Sequence, residues 1–282
     1  MSEFDDIRRH LPAALAAALA AGREILAVYA SDFVVETKAD DSPLTAADMR
    51  AHRVIRDALA PIGLPLLSEE GRQIPYSERC RWDRLWIVDP LDGTKEFVSR
   101  NGEFTVNIAL VEGQRPLAGI IHEPVADRLY LGVRGQGAWR IDAVSQRLAG
   151  GRKAAQWEAA GVRLPLPRKS GRPFTVVGSR RHANAAMEDF VAGLRRQWDP
   201  LNVVAAGSAL KFCRLAEGEA DIYPRPAPTM EWDTAAGQGI LEAVGGRVWI
   251  WDSERPLVYN RPDLVNPGFV ALAPGVALTP SA

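Results

Sequence analysis

Asp89-Pro90-Leu91-Asp92-Gly93-Thr94 sets two carboxylates three residues apart at the end of an apolar run, with proline between them and glycine and threonine behind. Ionised groups at the end of a buried strand are costly without compensation, and a divalent cation supplies it. Asp89 and Asp92 can offer hard oxygen ligands, and the Leu91 carbonyl, freed from strand pairing, a third. An all-oxygen donor set suits Mg2+ rather than Zn2+. If a short helix opens at Gly93 and Thr94, their backbone N–H groups lack partners inside it and carry the positive end of its dipole, which makes a seat for phosphate. Cation ligands beside a phosphate seat point to phosphoester chemistry. The plainer reading of the same residues is a capped strand-to-helix turn.

Other acids stand apart in sequence. Glu69-Glu70 ends a second apolar run, Pro65 to Ser68. Adjacent residues of an extended chain point to opposite sides, so one of the pair faces any shared site; a solvated acidic turn is the alternative. Asp233 sits at the start of a helix, where capping is equally reasonable, and Asp48 lies in the first turn of a helix that Thr45 can cap. Nucleophile-elbow, Walker-loop, zincin and dinucleotide-binding motifs are absent, and His10, His52 and His122 do not cluster, so a lone core or surface role is their default.

These residues need elements to hold them. Ile7, Leu11, Leu15, Leu19, Ile25 and Leu26 recur near helical spacing and predict one long helix over Phe4 to Tyr29. Phe33 to Thr37 reads as a short strand, broken by Asp40 to Thr45 before a helix carrying Asp48, His52, Ile55 and Leu59. Arg84 to Val88, Phe104 to Val111, Leu117 to His122, Leu129 to Val133 and Ala138 to Ile141 read as strands of an antiparallel sheet. Between 143 and 172 Gln, Arg, Lys, Gly and Pro accumulate with no apolar period, which predicts a linker or long surface loop. Beyond it, Phe174 to Val177, a helix from about Ala183, Asn202 to Ala205, a helix over Ser208 to Ala216, Asp221 to Tyr223, a helix over Glu231 to Val244 and Val248 to Trp251 alternate β and α. The expectation is an α+β subdomain over 1–145 with most of the acids, a linker over 146–172 and an α/β subdomain over 173–282.

Composition narrows the classes. A chain of 282 residues, 47% hydrophobic and 24% charged, is not disordered and can bury a large core. Lys plus Arg number 34 against 35 Asp plus Glu, so no overall basic field recruits a nucleic acid polymer or an acidic membrane. Two widely spaced cysteines, Cys80 and Cys213, make no disulfide framework and fit a reducing cytoplasm. The Ala/Leu stretch from Leu11 to Ala21 is broken by Pro12, Gly22, Arg23 and Glu24, so neither a signal peptide nor a transmembrane segment is expected.

Glu69-Glu70, the run Trp86 to Thr94 and Trp232-Asp233-Thr234-Ala235-Ala236-Gly237 resemble, in order, three signatures of the inositol monophosphatase superfamily. The likeness extends from the first helix to Asn266-Pro267-Gly268-Phe269. Lys95-Glu96-Phe97, Asn101 to Leu110 and Gly207 to Cys213 make the chain most similar to the bisphosphate nucleotidases of that superfamily. The resemblance implies a layered α-β-α-β-α sugar-phosphatase fold with two packed subdomains. It also implies Mg2+-dependent, lithium-sensitive hydrolysis of the 3′-phosphate of adenosine 3′,5′-bisphosphate to AMP and phosphate, with action on its sulfated precursor, in sulfur assimilation.

By position, the resemblance gives Glu69, Asp89 and the Leu91 carbonyl to one Mg2+, Asp89, Asp92 and Asp233 to a second, and Asp48 to a third, weaker ion. Glu69 with Thr94 would orient and deprotonate water, Gly93 and Thr94 would hold the phosphate, and Ser179, His182, Ser208, Lys211 and Arg225, with Asp233, would bind the nucleotide. Lys211 and Arg225 also make chemical sense alone, since a second phosphate needs cationic anchoring away from the metals; the alternative for either is a solvated surface charge. The superfamily further implies a homodimer and, in some relatives, the cytoplasmic face of the inner membrane. Two other readings stay open: an inositol- or sugar-phosphate phosphatase using the same metals, and a non-catalytic protein that binds phosphate or nucleotide.

Overall fold

The computed structural model describes residues 3–37, 43–148, 156–168, 170–179 and 185–278. Helix α1 (Glu3–Tyr29) buries Ile7, Leu11, Leu15 and Ile25 at helical spacing against α2 (Ala46–Leu59) and the first sheet. By length and composition Ile7–Tyr29 is apolar enough to cross a membrane, and just over half of its most apolar 18-residue window is buried inside the protein.

The first sheet runs β1 (Leu66–Ser68), β2 (Arg84–Asp92), β3 (Thr105–Glu112), β4 (Arg115–Glu123), β5 (Arg128–Val133), β6 (Gly137–Asp142) and β7 (Val162–Leu164), in that spatial order. β1 and β2 are parallel and each later neighbour pair is antiparallel. The two-residue period divides its side chains. Trp86 and Val88 of β2 and Val106, Ile108 and Leu110 of β3 join α1 and α2 in one core, while Leu85, Ile87, Ala109 and Val111 enter another on the opposite face.

β2 runs into the short α3 (Thr94–Val98). The second sheet contains β8 (Phe174–Gly178), β9 (Leu201–Ala205), β10 (Ile222–Arg225), β11 (Arg247–Ile250) and β12 (Phe269–Leu272), ordered β9-β8-β10-β12-β11. Helix α4 (Ala185–Gln197) covers its outer face, with Phe190, Val191 and Leu194 packed on Val176, Ile222 and Leu272. Between the sheets lie α5 (Leu210–Glu217) and α6 (Glu231–Ala243). The layers therefore follow α-β-α-β-α. α6 comes very close to the first sheet: a Cβ on Gly119 would stand 2.0 Å from the Ala236 carbonyl oxygen, and one on Gly132 2.4 Å from the Ile240 Cα.

The stretch 143–172 differs from the expected linker. Val144–Arg147 and Trp157–Ala160 form single helical turns, and β7 pairs with β6 as the seventh strand. Val144, Leu148 and Trp157 are buried in the α1–α2 core, and Leu164 in the opposite one. A three-residue edge strand with one inward side chain leaves no alternation to read, which is why composition pointed to a loop. Residues 149–155 and 169 of that stretch lie outside the described residues.

His52 and His122 both have core partners. His52 Nδ1 is 2.9 Å from Ser68 Oγ. His122 Nδ1 donates to the Ala18 carbonyl at 3.1 Å, and burial pushes its pKa from 6.5 down to about 4. The unfolded imidazole is protonated below pH 6.5 while the folded one stays neutral until about pH 4, so the unfolded state binds more protons in that window. Stability is therefore present in full above pH 6.5 and lost as pH falls toward 4, by up to about 3 kcal/mol. The urea midpoint of the protein should drop relative to that of His122→Asn across this window. A midpoint difference that is constant from pH 7 to 4 would rule the account out.

Candidate active site

Alternation along β2 gives Asp89 the face of Leu85 and Ile87, toward α5 and α6. The pairing with β3 is irregular between Asp89 and Asp92, where Pro90 has no N–H to give the ladder. At this bulge the Leu91 N–H donates to Asp89 Oδ1 at 3.0 Å. Gly93 follows at φ 89°, in the left-handed region, and a Cβ there would lie 2.1 Å from Ser208 Oγ. Thr94 opens α3, with its hydroxyl 3.4 Å from both Asp48 Oδ1 and the Leu91 carbonyl oxygen.

The Glu69 N–H donates to the Val88 carbonyl at 3.1 Å and prolongs the β1–β2 pairing, so Glu69 takes the face of buried Leu67 and Glu70 the opposite one. The charges agree: Glu69 acts on Asp89 and Asp233, whereas Glu70 acts on His52 of α2. Asp48 Oδ2 accepts from the Thr45 N–H at 2.8 Å and the Thr45 hydroxyl at 2.7 Å. Asp233 Oδ2 accepts from the Met230 N–H at 2.8 Å. Both acids thus take part in capping the helices they open.

One cavity of about 460 Å³ gathers Asp92, Gly93, Ser179, Ser208, Lys211, Arg225 and Asp233 on its wall. Glu69, Asp89, Leu91, Asp48 and Thr94 are not on that wall; they join it through the bonds and charges just described. His182 lies outside the described residues.

Burial raises Asp89 well above the usual carboxylate range, and the charges of Glu69, Asp92 and Asp233 raise it further. Burial also raises Asp92, against the opposing effects of Lys211, the Asn107 amide and the Ala209 N–H. Asp233 is pushed up to about 8, by burial first and by Asp92 next, although part of its surface opens on the cavity. Among the described residues, no three Asp, Glu, His or Cys side chains close on one point as a finished cage. The donor set still fits a hard cation, because four mutually repelling carboxylates beside a backbone carbonyl at a bulge need positive charge and offer only oxygen.

Cations are built in as well. Lys211 is 7% exposed, its Nζ donates to the Ser208 carbonyl at 2.5 Å and the Ala206 carbonyl at 3.3 Å, and it lies 5.3 Å over the Tyr223 ring. Burial lowers its pKa to about 8, even with Asp92 nearby. Arg225 lines the cavity, and among the described residues its buried Nε has no hydrogen-bond partner, a donor suited to an anion.

Sequence reasoning passes over Asn107, Glu103 and Tyr223. Asn107 stands opposite Asp89 in the β2–β3 register, donates Nδ2–H to Asp92 Oδ2 at 3.2 Å and accepts from the Thr105 hydroxyl at 2.9 Å. The available signal was a buried amide inside an apolar strand, Val106-Asn107-Ile108-Ala109-Leu110. Glu103 accepts from the Gly207 N–H, and Tyr223 floors Lys211.

Both the sequence and the fold match known proteins. The chain is 42% identical over 254 residues to the 3′(2′),5′-bisphosphate nucleotidase CysQ of Escherichia coli strain K12, covering 88% of this chain and 94% of that protein. The crystal structure of CysQ from Bacteroides thetaiotaomicron superposes with a TM-score of 0.85 at 45% identity, over 93% of this chain and 96% of that one. An inositol monophosphatase from Zymomonas mobilis, 23% identical, shares the fold with a TM-score of 0.71 over 98% of this chain and 95% of its own. The model of the inositol monophosphatase family matches residues 6–278, a span that takes in every acid of the site, and the chain belongs to that family.

Proposed function

We propose that this protein is a Mg2+-dependent phosphomonoesterase that removes the 3′-phosphate of adenosine 3′,5′-bisphosphate, giving AMP and phosphate, and that also acts on its sulfated precursor. The observation that carries this reading is a single cavity lined both by acids that suit cations, Asp92 and Asp233, and by cations that suit a second phosphate, Lys211 and Arg225. The nucleotidase named above, alike over nearly its whole length, supports it. A cytoplasmic homodimer is part of the proposal, and the free thiols of Cys80 and Cys213 suit that compartment.

Glu69, Asp89, Asp92, Asp233 and the Leu91 carbonyl would hold two Mg2+ ions, with Asp48 beside a weaker third, and bound Mg2+ supplies neutralisation of the phosphoryl charge. The chain's own groups do the rest. Gly93 and Thr94 N–H groups orient the phosphoryl oxygens, and Thr94 Oγ1 with Glu69 aligns the attacking water, whose proton Glu69 accepts, while the departing 3′-oxygen takes up a proton from water as its bond to phosphorus breaks. Ser179, His182, Ser208, Lys211 and Arg225 hold the nucleotide away from the reacting centre.

Phosphate release from adenosine 3′,5′-bisphosphate, inositol 1-phosphate and fructose 1,6-bisphosphate, with Mg2+, with chelator and with lithium, tests the reading. Release mainly from the adenosine compound, abolished by chelator and inhibited by lithium, is expected. Preference for either other compound would move the enzyme elsewhere in its family, and no release at all would leave a binding protein. Lys211→Ala should raise KM for the bisphosphate about tenfold or more, the loss typical of a charged hydrogen bond, against less than about threefold for 3′-AMP. Equal rises would remove Lys211 from the role of second-phosphate anchor.

A further inference from the structure

Glu103 stands outside the residues that line the cavity, yet it grips two of them. It sits in the turn after α3, where its N–H donates to Asn101 Oδ1 at 2.9 Å and Gly102 takes φ 79°. From there Glu103 Oε2 accepts from the Gly207 N–H at 2.8 Å. The Ser208 hydroxyl lies 2.8 Å from the Glu103 carbonyl oxygen and 2.9 Å from the Asp92 carbonyl oxygen, so one hydroxyl spans both. The fit is tight: a Cβ on Gly207 would stand 2.7 Å from the Glu103 carbonyl oxygen.

Ser208 carries φ 47°, an uncommon conformation for a residue with a Cβ, which persists only where the surroundings impose it. Lys211 Nζ is seated on the carbonyls of Ser208 and Ala206, so the position of the ammonium follows that of this turn. A continuous strap therefore runs from Asp92 and Gly93, through Ser208 and Glu103, to Lys211.

We propose that Glu103 is a positioning residue that fixes the separation between the phosphate seat at Gly93 and the ammonium of Lys211, and thereby the preference for substrates with two phosphates over substrates with one. The proposal rests on the nucleotidase reading. A fixed separation matters only to a ligand that touches both ends at once, because only such a ligand loses a pre-arranged contact when the turn relaxes. A bisphosphate does so; a monophosphate seated at Gly93 does not.

The test compares wild type, Glu103→Ala and Glu103→Gln with adenosine 3′,5′-bisphosphate and with 3′-AMP, separating KM from kcat and recording Tm. Glu103→Ala should raise KM for the bisphosphate about tenfold and for 3′-AMP less than about threefold. Glu103→Gln, whose amide oxygen still accepts from the Gly207 N–H, should stay within about threefold of wild type on both. An equal rise with both substrates, a loss confined to kcat, or a Gln variant as impaired as the Ala variant would overturn the proposal. If wild type shows no preference for the bisphosphate, the nucleotidase reading fails and the proposal with it; if wild type shows the preference and Glu103→Ala keeps it, the proposal alone fails. Should Glu103→Ala not fold, Glu103→Asp, one methylene shorter with the charge kept, carries the same comparison.

Discussion

Asp92→Asn is expected to lower kcat for phosphate release by on the order of a thousandfold while leaving Tm unchanged or slightly raised. The amide keeps an oxygen for the Asn107 Nδ2–H, and Ser208 bonds to the main-chain oxygen of residue 92, which the substitution does not touch. What disappears is one negative charge that burial and neighbouring acids already disfavour, and whose removal relieves Asp89 and Asp233. The folded state loses little, while the proposed Mg2+ site loses one of its ligands. Turnover at saturating Mg2+, with melting in chelator, separates the two effects. Wild-type turnover would remove Asp92 from the ligand set, and a Tm lowered by more than about 5 °C would make the loss one of folding.

Gly119→Ala should destabilise by about 3 kcal/mol, or roughly 5 °C in Tm for a chain of this size. The new methyl would meet the Ala236 carbonyl oxygen at 2.0 Å, which is the backbone of a buried helix rather than the end of a side chain that could swing aside. α6 cannot retreat, because its other side packs on α5 and the second sheet. Since α6 begins with the turn that carries Asp233, Gly119→Ala should also lose activity below its own melting temperature. Gly193→Ala is the control. It lies within α4 and its nearest neighbour to a new Cβ is the tip of Arg196 at 3.7 Å, so stability should hold or rise by about 1 kcal/mol. Equal effects of the two substitutions would refute the close-packing account.

Much of the site was legible because its chemistry is local. The strand ending in Asp89 to Asp92 shows an apolar run, a proline and two acids within a few residues, and period two separates Glu69 from Glu70 without a structure. Asp48 and Asp233 were harder, since each obeys a capping rule that explains it fully; only the tertiary fold brings Asp233 to the cavity wall and Asp48 Oδ1 within 3.4 Å of the Thr94 hydroxyl. Glu103 was beyond reach, because its partners at Gly207 and Ser208 lie about a hundred residues away and each bond pairs a side chain with a backbone group, which residue types do not announce. β7 was missed for a related reason: Val162-Arg163-Leu164 is a strand only because β6 is there to pair with it.

The placement of α6 has a consequence for synthesis on the ribosome. The strands of the first sheet are complete by Leu164, but the residues that cover the face bearing Leu85, Ile87, Ala109 and Ile121 arrive only with Glu231–Ala243. Until then the nascent chain presents a broad apolar surface, with Asp89 at its margin and no Asp233 opposite. α6 covers that face, and only afterwards do β11 and β12 complete the sheet on its other side, so about the last forty residues of the chain close the layers and the site comes together late in synthesis.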